Sequence, residues 1–198
     1  MMAMGGEGSI IDRLKQLHIV PLTISYEYDP CDYLKAREYQ LRRDVPYWKK
    51  TAEDDMESML VGIKGFKGHI FYRCAPCIDE WLDTVDAEQP KNKLFDEIAA
   101  HIDREIHSNY ELYPCNYVAL DMIQDTKVYE EYYTSEDYQK FDEYINGQIE
   151  KIDIENRDDH FLRICLLTQY AYPAKNYIAA SSENGRFKSL LNRLTFKK

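Results

Sequence analysis

The sequence predicts an α/β fold with a mostly helical carboxyl-terminal tail, and three observations support this class. Segments 19–26, IVPLTISY, and 68–74, GHIFYRC, are short and rich in β-branched and aromatic residues, which is typical of strands. The segments between and after them repeat apolar residues every three or four positions, as helices do. Beyond Pro114 nearly every segment has the helical pattern. A chain of 198 residues has room for one sizeable domain, or for one domain with an appendage.

The first predicted helix and the first predicted strand are adjacent in the chain. Ser9 can cap a helix over residues 9–18, with Asp12 in the capping-box position three residues later. The strand over 19–26 follows without a linker. Pro21 cannot donate a ladder hydrogen bond, so it belongs near the start of this strand or at a sheet edge. A helix that passes directly into a strand indicates an αβ unit.

Two more helices are predicted before the second strand. Residues 31–44 form the first of them, which ends before Pro46. Thr51 begins the other, whose first turn is acidic and which ends at Gly65. Acidic residues in the first turn suit the helix dipole, and glycine is the usual residue at a helix end.

The second half of the chain is predicted to be helical. Residues 91–110 form the clearest helix, with an apolar face made by Phe95, Ile98, Ala99, Ile102 and Ile106. Ser135 is the predicted cap of a later helix. The apolar segment 157–172 is predicted to end before Pro173, and 186–198 is a basic amphipathic helix. A basic last turn suits the helix dipole, and such a helix also suits contact with a membrane surface.

A boundary is predicted near residues 123–134. The α/β domain then covers residues 1–122, and a helical extension covers 123–198. Nothing in the sequence repeats at a fixed period.

The charge and the cysteine content exclude several classes of function. A formal charge of −10 and a pI of about 5.0 make binding to the phosphates of nucleic acid unfavourable. The uncharged apolar runs are far shorter than the roughly 20 residues of a membrane span. Five irregularly spaced cysteines do not indicate a disulfide framework. We therefore predict a cytoplasmic protein, with location at the periphery of the inner membrane as an alternative.

Two short motifs leave alternatives open. Cys74 and Cys77 flank Ala-Pro after a strand, as in the active site of thioredoxin-like proteins, or they are unpaired structural cysteines. A closed zinc site needs four ligands, and no second pair has suitable spacing, so no metal ligand is predicted. Segment 64–69, KGFKGH, is a compact basic patch that could bind a phosphate, or simply a helix end followed by a turn.

Two segments and the long helix that follows them have a recognisable order. The segments are residues 14–30, LKQLHIVPLTISYEYDP, and residues 67–78, KGHIFYRCAPCI. Together they resemble the carboxyl-terminal half of the glycerolipid acyltransferases, the 1-acylglycerol-3-phosphate acyltransferases and their relatives. The full stretch, including residues 26–38, YEYDPCDYLKARE, is most similar to bacterial glycerol acyltransferase-like proteins of the Bacteroides type. The resemblance covers roughly residues 8–120. It implies that the strands belong to a partial acyltransferase-like sheet with flanking helices.

The chain departs from this family at the catalytic motif. The family uses His-x4-Asp, in which histidine deprotonates the attacking glycerol hydroxyl, and a Pro-Glu-Gly-type segment that binds phosphate. Neither occurs in these 198 residues. We therefore expect a fragment, an alternative start or a gene split by a frameshift. No catalytic residue is predicted, and whether this chain alone is an enzyme is left open.

The resemblance implies acyl transfer from a thioester, acyl-CoA or acyl carrier protein, to a hydroxyl of a glycerolipid acceptor, without a cofactor. Ligands of α/β sheets bind beyond the carboxyl ends of strands. The predicted substrate-binding residues are accordingly Tyr26, Glu27, Tyr28, Lys64 and Lys67. Two alternatives remain: a thioredoxin-like protein that uses Cys74 and Cys77, and a non-catalytic interaction module with a tyrosine-rich surface.

Overall fold

The computed structural model describes residues 8–183, which are mostly helical. Within that range the elements follow one another as α1 Ile10–Lys15, β1 Leu22–Tyr26, α2 Asp32–Asp44, α3 Ala52–Lys64, β2 Ile70–Cys74, α4 Asp79–Leu82, α5 Lys91–Ser108, α6 Pro114–Gln124, α7 Ser135–Glu150 and α8 Asp159–Glu183. A single 3₁₀ turn, Glu130–Tyr132, lies between α6 and α7.

The two strands form an antiparallel sheet. The backbone N–H of Ala75 donates to the carbonyl of Pro21 at 2.9 Å, and that of Glu27 donates to the carbonyl of His69 at 2.9 Å. Pro21 lies directly before β1, as its missing N–H requires. The prediction of a fold with both helices and strands is confirmed in this general form.

β1 has an unusual distribution of polarity. Its buried side chains are the small polar Thr23 and Ser25, whereas Leu22, Ile24 and Tyr26 are exposed. The hydroxyl of Thr23 donates to the carbonyl of Ile106 at 3.0 Å, which satisfies that buried group. A strand with one covered face normally buries its apolar residues. The apolar side chains of β1 therefore point away from the core of the described chain.

The described chain divides into two compact units, each made of separate segments. The first consists of residues 8–24, 71–110 and 177–183, and the second of residues 25–70 and 111–176. The predicted boundary at residues 122 and 123 lies within α6.

The core of the first unit is formed by α1, α4 and α5. Its buried residues are Ile11, Leu14, Ile78, Leu82, Leu94 and Ile98. Leu94, not Phe95, is the first buried residue of α5, and Ala99 is exposed. The predicted apolar face of this helix is therefore rotated toward Leu94, although Ile98 is buried as predicted.

The core of the second unit is formed mainly by α6, α7 and α8, with α6 packed on α7 and α2 also in contact with α7. Its fully buried side chains include Val118, Phe141, Ile145, Leu162 and Leu166.

The helix caps agree with the sequence prediction in one case and differ in another. Ser9 caps α1 in a complete capping box, as predicted, and Thr51, at the predicted start of α3, is a cap with a complete capping box that was not predicted. The third cap is Thr134, whose hydroxyl accepts from the backbone N–H of Asp137 at 3.1 Å. Ser135, the predicted cap, is the first helical residue instead. Both residues can cap a helix, and Asp137 lies three residues after Thr134 but only two after Ser135.

The predicted end of α8 before Pro173 was wrong, because the helix continues through it to Glu183. Proline lacks the N–H that would bond to the carbonyl of Gln169, and this normally disfavours a helix interior. Here Tyr170, Ala171 and Ala174 are buried around the proline. Their packing on the core outweighs the local preference.

Residues 8–183 contain no helix that is both long and apolar enough to cross a membrane. The glycine-rich amino-terminal segment and the predicted basic helix over 186–198 lie outside the described residues, apart from Gly8.

Replacing Leu82 by alanine should destabilise the protein strongly. Leu82 is fully buried in the core of the first unit, and truncation of such a leucine costs about 2–5 kcal/mol. Leu60 on α3 is half exposed, so Leu60→Ala should cost less than about 1 kcal/mol. Urea unfolding of both variants measures the difference, and equal losses would contradict this account of the core.

Candidate functional site

The five predicted substrate-binding residues all lie in the second unit. Tyr26 ends β1, Glu27 and Tyr28 follow it, Lys64 ends α3, and Lys67 lies in the loop before β2. Two backbone bonds join these segments: Glu27 N–H donates to His69 at 2.9 Å, and Tyr28 N–H to Lys67 at 3.0 Å. The end of β1 and the loop of the KGFKGH segment therefore form one local structure, which we call the strand-end site.

A histidine–carboxylate pair lies at the centre of the strand-end site. One carboxylate oxygen of Glu27, Oε2, accepts from the backbone N–H of His69 at 2.9 Å and lies 2.6 Å from Nδ1 of the same ring. A carboxylate next to Nδ1 favours the proton on that nitrogen and orients the ring. The imidazole is 83% exposed, so Nε2 faces solvent. The ring of Tyr113 stacks beside it, with centroids 6.2 Å apart.

Gly68 makes room for this pair. Its φ of +63° lies in the left-handed region, which glycine adopts without steric cost. A Cβ at this position would lie 2.4 Å from Oε2 of Glu27 and 2.9 Å from its Cβ. The approach of the carboxylate to His69 therefore depends on the missing side chain.

The two lysines of the strand-end site differ in what their ammonium groups contact. Lys67 donates to the carbonyl of Ile63 at 3.2 Å and to that of Gly65 at 3.0 Å, so it binds the carboxyl end of α3. This is favourable because carbonyls at a helix end lack intrahelical donors. Lys64 is exposed. The exposed Lys64 is therefore better placed than Lys67 to contact a ligand.

Tyr28 lies in an aromatic cluster rather than at an open surface. Its ring centroid is 4.5 Å from that of Tyr144, 5.9 Å from that of Phe66 and 6.3 Å from that of Tyr170. Burial raises the pKa of the Tyr28 hydroxyl to about 12. Tyr28 is therefore a neutral wall of the site at ordinary pH.

Behind this cluster lies the fully buried carboxylate of Asp32, in the first turn of α2. Oδ2 accepts from the hydroxyl of Tyr170 at 2.6 Å, from that of Tyr144 at 2.7 Å and from the amide of Gln148 at 3.3 Å. Oδ1 accepts from the backbone N–H of Tyr33 at 2.6 Å. Burial raises the pKa of Asp32 above its usual value, although the hydroxyl bonds act in the opposite direction. The network fixes the rings that support Tyr28.

Two members of this arrangement are not predicted from the sequence. His69 belongs there to a basic patch and to the second strand, and Asp32 to a helix, with no role in a site. The pairing of Glu27 with His69 spans 42 residues, and that of Asp32 with Tyr170 spans 138. No local spacing signals either contact. The sequence offers one indication of a site, which is that Lys64, Gly68 and His69 occur within one short segment.

A groove elsewhere in the second unit, about 1050 Å³ in volume, is lined by residues of both charge signs. Asp121 there accepts from the hydroxyls of Thr126 and Tyr133 and from two backbone N–H groups. Arg163 binds Asp142 and Asn146. Asp121 therefore holds the loop after α6, and Arg163 joins α8 to α7. Since these side chains already have protein partners, this groove is a weaker candidate than the strand-end site.

The cysteines of the Cys-Ala-Pro-Cys segment lie in the first unit. Cys74 ends β2 and is exposed, Cys77 is partly buried, and both are free thiols. The next helix, α4, has only four residues. A helix of one turn provides little of the dipole that activates a thioredoxin-like thiol.

Neither models of known protein families, nor curated proteins, nor solved structures match this chain. The functional conclusion therefore depends on the residues of the chain itself.

The stability contributed by Asp32 should fall as the pH rises. Its folded pKa lies above the ordinary value of 3.8, so the folded protein retains a proton that the unfolded chain has released. Between these two pKa values the free energy of unfolding decreases with pH, by at most about 1.4 kcal/mol per pH unit. Asp32→Asn removes this titration. Urea unfolding over about pH 4 to 8 should show the variant gaining stability relative to the wild type as the pH rises.

The control for this experiment is Tyr144→Phe, which removes one donor but keeps the carboxyl group. The Tyr144→Phe variant should retain the decrease in the free energy of unfolding as the pH rises. A pH-independent difference between wild type and Asp32→Asn would show that Asp32 has an ordinary pKa in the folded protein.

Gly68→Ala should disrupt the Glu27–His69 pair. A left-handed backbone costs a residue with a Cβ about 1–2 kcal/mol, and the new methyl group would overlap the Glu27 carboxylate. Gly147 in α7 is the matched control, since a Cβ there meets nothing within 4 Å. Gly147→Ala should stabilise the protein by up to about 1 kcal/mol. Unfolding by urea and the NMR signals of the His69 ring measure both effects, and an unchanged ring environment in Gly68→Ala would be the contrary result.

Proposed function

We propose that this chain is the acceptor-binding part of a glycerolipid acyltransferase. The complete enzyme transfers an acyl group from a thioester to a glycerol phosphate-like hydroxyl. The hydroxyl oxygen attacks the thioester carbonyl, the carbon–sulfur bond breaks, and the thiol leaves with the proton that a base took from the hydroxyl. That base belongs to a His-x4-Asp motif that these 198 residues do not contain.

The observation that carries the proposal is the Glu27–His69 pair at the end of β1. The resemblance to acyltransferases implies that this strand end forms the wall of the acceptor cleft. Glu27 holds the exposed ring of His69, and Lys64 adds a positive charge from the same segment. A cationic lysine and an imidazole are suitable ligands for a phosphate. Tyr28, supported by its aromatic cluster, provides the apolar side of the cleft.

Apolar surface supports the view that a further segment packs on β1. The exposed side chains of β1 are Leu22, Ile24 and Tyr26. Both faces of an acyltransferase-like α/β sheet are covered by other elements, usually helices. The occupant that we propose for this face is a helix from the remainder of the acyltransferase domain, and that remainder also carries the His-x4-Asp motif.

α3 also presents apolar residues to solvent and buries none of its residues 52–64. Met56, Met59, Leu60 and Ile63 follow the spacing of one helix face, and all are at least half exposed. Phe66, just beyond the helix, is 75% exposed. A contiguous apolar surface of this kind usually packs on a protein segment. This face also favours the second candidate function, an interaction module.

Titration of the purified chain with glycerol 3-phosphate, followed by NMR, tests the proposal. Signals of residues 26–28 and 64–69 should shift, and glycerol at equal concentration should leave them unchanged. His69→Gln and Lys64→Ala should each weaken binding by about tenfold, because each removes one charge-assisted contact to phosphate. Lys91→Ala, an exposed lysine in α5, is the matched control and should bind as the wild type does.

Two results would contradict the proposal. Equal losses in Lys64→Ala and Lys91→Ala would indicate unspecific attraction of the anion to positive charge. Shifts that glycerol reproduces would exclude recognition of the phosphate.

The chain alone should also show no acyl transfer from acyl-CoA, because it lacks the general base, and general-base catalysis contributes about 10²–10⁴-fold. Turnover that His69→Gln abolishes would make His69 a base and not a phosphate ligand.

A further inference from the structure

The first unit brings together three side chains whose chemistry differs from that of the strand-end site. His18, Cys77 and Asp79 each offer one ligand atom, and these atoms all lie within 4.8 Å of one another. Nδ1 of His18 is 2.6 Å from Oδ2 of Asp79. We propose that these three residues bind a divalent cation of the zinc class.

The donor set selects this class of cation. An imidazole nitrogen, a thiolate and a carboxylate are the three ligand types that Zn²⁺ accepts in proteins. Hard cations such as Mg²⁺ and Ca²⁺ prefer oxygen ligands only, so the thiol of Cys77 disfavours them. Three protein ligands leave the fourth tetrahedral position for water or another molecule. The expectation of no metal ligand rested on the four-ligand pattern of a closed zinc site, which does not apply to an open site with three protein ligands.

The distances suit a tetrahedral ion after small side-chain movements. Bonds of about 2.0–2.3 Å place the ligand atoms of a tetrahedral zinc site roughly 3.2–3.8 Å apart. The His18–Asp79 pair must open by about 0.6 Å from its present 2.6 Å, and the widest separation, at most 4.8 Å, must close by about 1 Å. His18 is 77% exposed, so its ring can adjust and an ion can enter from solvent.

The backbone around the ligands is held in place by the core. Ile19, next to His18, packs on the core cluster, and Ile78, between Cys77 and Asp79, is fully buried in it. The N–H of Ile78 donates to the carbonyl of Ile19 at 3.0 Å, which joins the two ligand-bearing segments directly. A metal site on segments fixed in this way loses little conformational entropy on binding.

One polar atom of the cluster points to a ligand independently. Oδ1 of Asp79 is shielded from solvent and has no hydrogen-bond partner among residues 8–183. Shielded carboxylate oxygens are normally satisfied, so an isolated one needs an explanation. A bound cation supplies it. The neighbouring Lys15 is paired with Asp83, which offsets its charge.

Addition of Co²⁺ to the reduced, full-length chain tests the proposal, because a cobalt–thiolate bond gives a charge-transfer absorption band. The band should reach its full intensity at one equivalent of Co²⁺ per chain. Addition of Zn²⁺ should displace the cobalt ion and remove the band. Cys77→Ser should abolish the band. Cys74→Ser, which alters the other cysteine of the same segment, should leave it intact. Two further variants, His18→Asn and Asp79→Asn, should weaken Co²⁺ binding at least tenfold.

His18→Asn is the variant least able to disturb folding. The side chain is exposed, and asparagine tolerates the left-handed φ of +46° found at this position. Circular dichroism confirms that each variant is folded before Co²⁺ is added. The proposal is overturned if no thiolate band forms with the wild type, or if Cys74→Ser and Cys77→Ser lose it equally. It is also overturned if His18→Asn and Asp79→Asn both bind Co²⁺ as the wild type does.

Discussion

The buried carboxylate of Asp32 is the interaction on which the second unit depends. A charged or polar group without solvent must be satisfied by protein donors, and the donors here come from α7 and α8. Tyr144 and Gln148 lie one turn apart on α7, and Tyr170 lies on α8. All three bind Oδ2, so the first turn of α2 fixes the rotation of both helices. The hydroxyl of Tyr170 also accepts from the backbone N–H of Asp29, in the loop before α2, at 3.1 Å.

The strand-end site follows from this constraint and from the register of the sheet. In an antiparallel pair, one backbone bond fixes the partner of every later residue. The pairing of Pro21 with Ala75 therefore requires that Glu27 meet His69. Tyr28 then enters the aromatic cluster around Tyr144, which the Asp32 network holds. The position of the His69 ring is thus set by the sheet on one side and by a buried network on the other.

The sequence predicts the features that local interactions determine, such as helix caps and strand positions. It does not predict the contacts between residues that are far apart in the chain. The capping box of Ser9 closes within three residues, so its residue types alone reveal it. Strand and helix periodicity likewise placed β1, β2 and most helices within a few residues. Pro173 shows the limit, because buried packing kept a helix that local preference would end. The contacts of Asp32 and His69 span from 42 to 138 residues and leave no pattern in the sequence.

Two histidine–carboxylate pairs within residues 8–183 have the same separation, 2.6 Å, and their neighbours determine different chemistry. In the strand-end site the pair lies in the segment that carries the exposed Lys64, whose positive charge favours an anion. The His18–Asp79 pair has instead the thiol of Cys77 within 4.8 Å, and a thiolate favours a cation. A carboxylate orients the ring in both cases, but it does not decide the sign of the ligand. The third group decides it, and this is why Glu27–His69 supports phosphate binding whereas His18–Asp79 supports zinc binding.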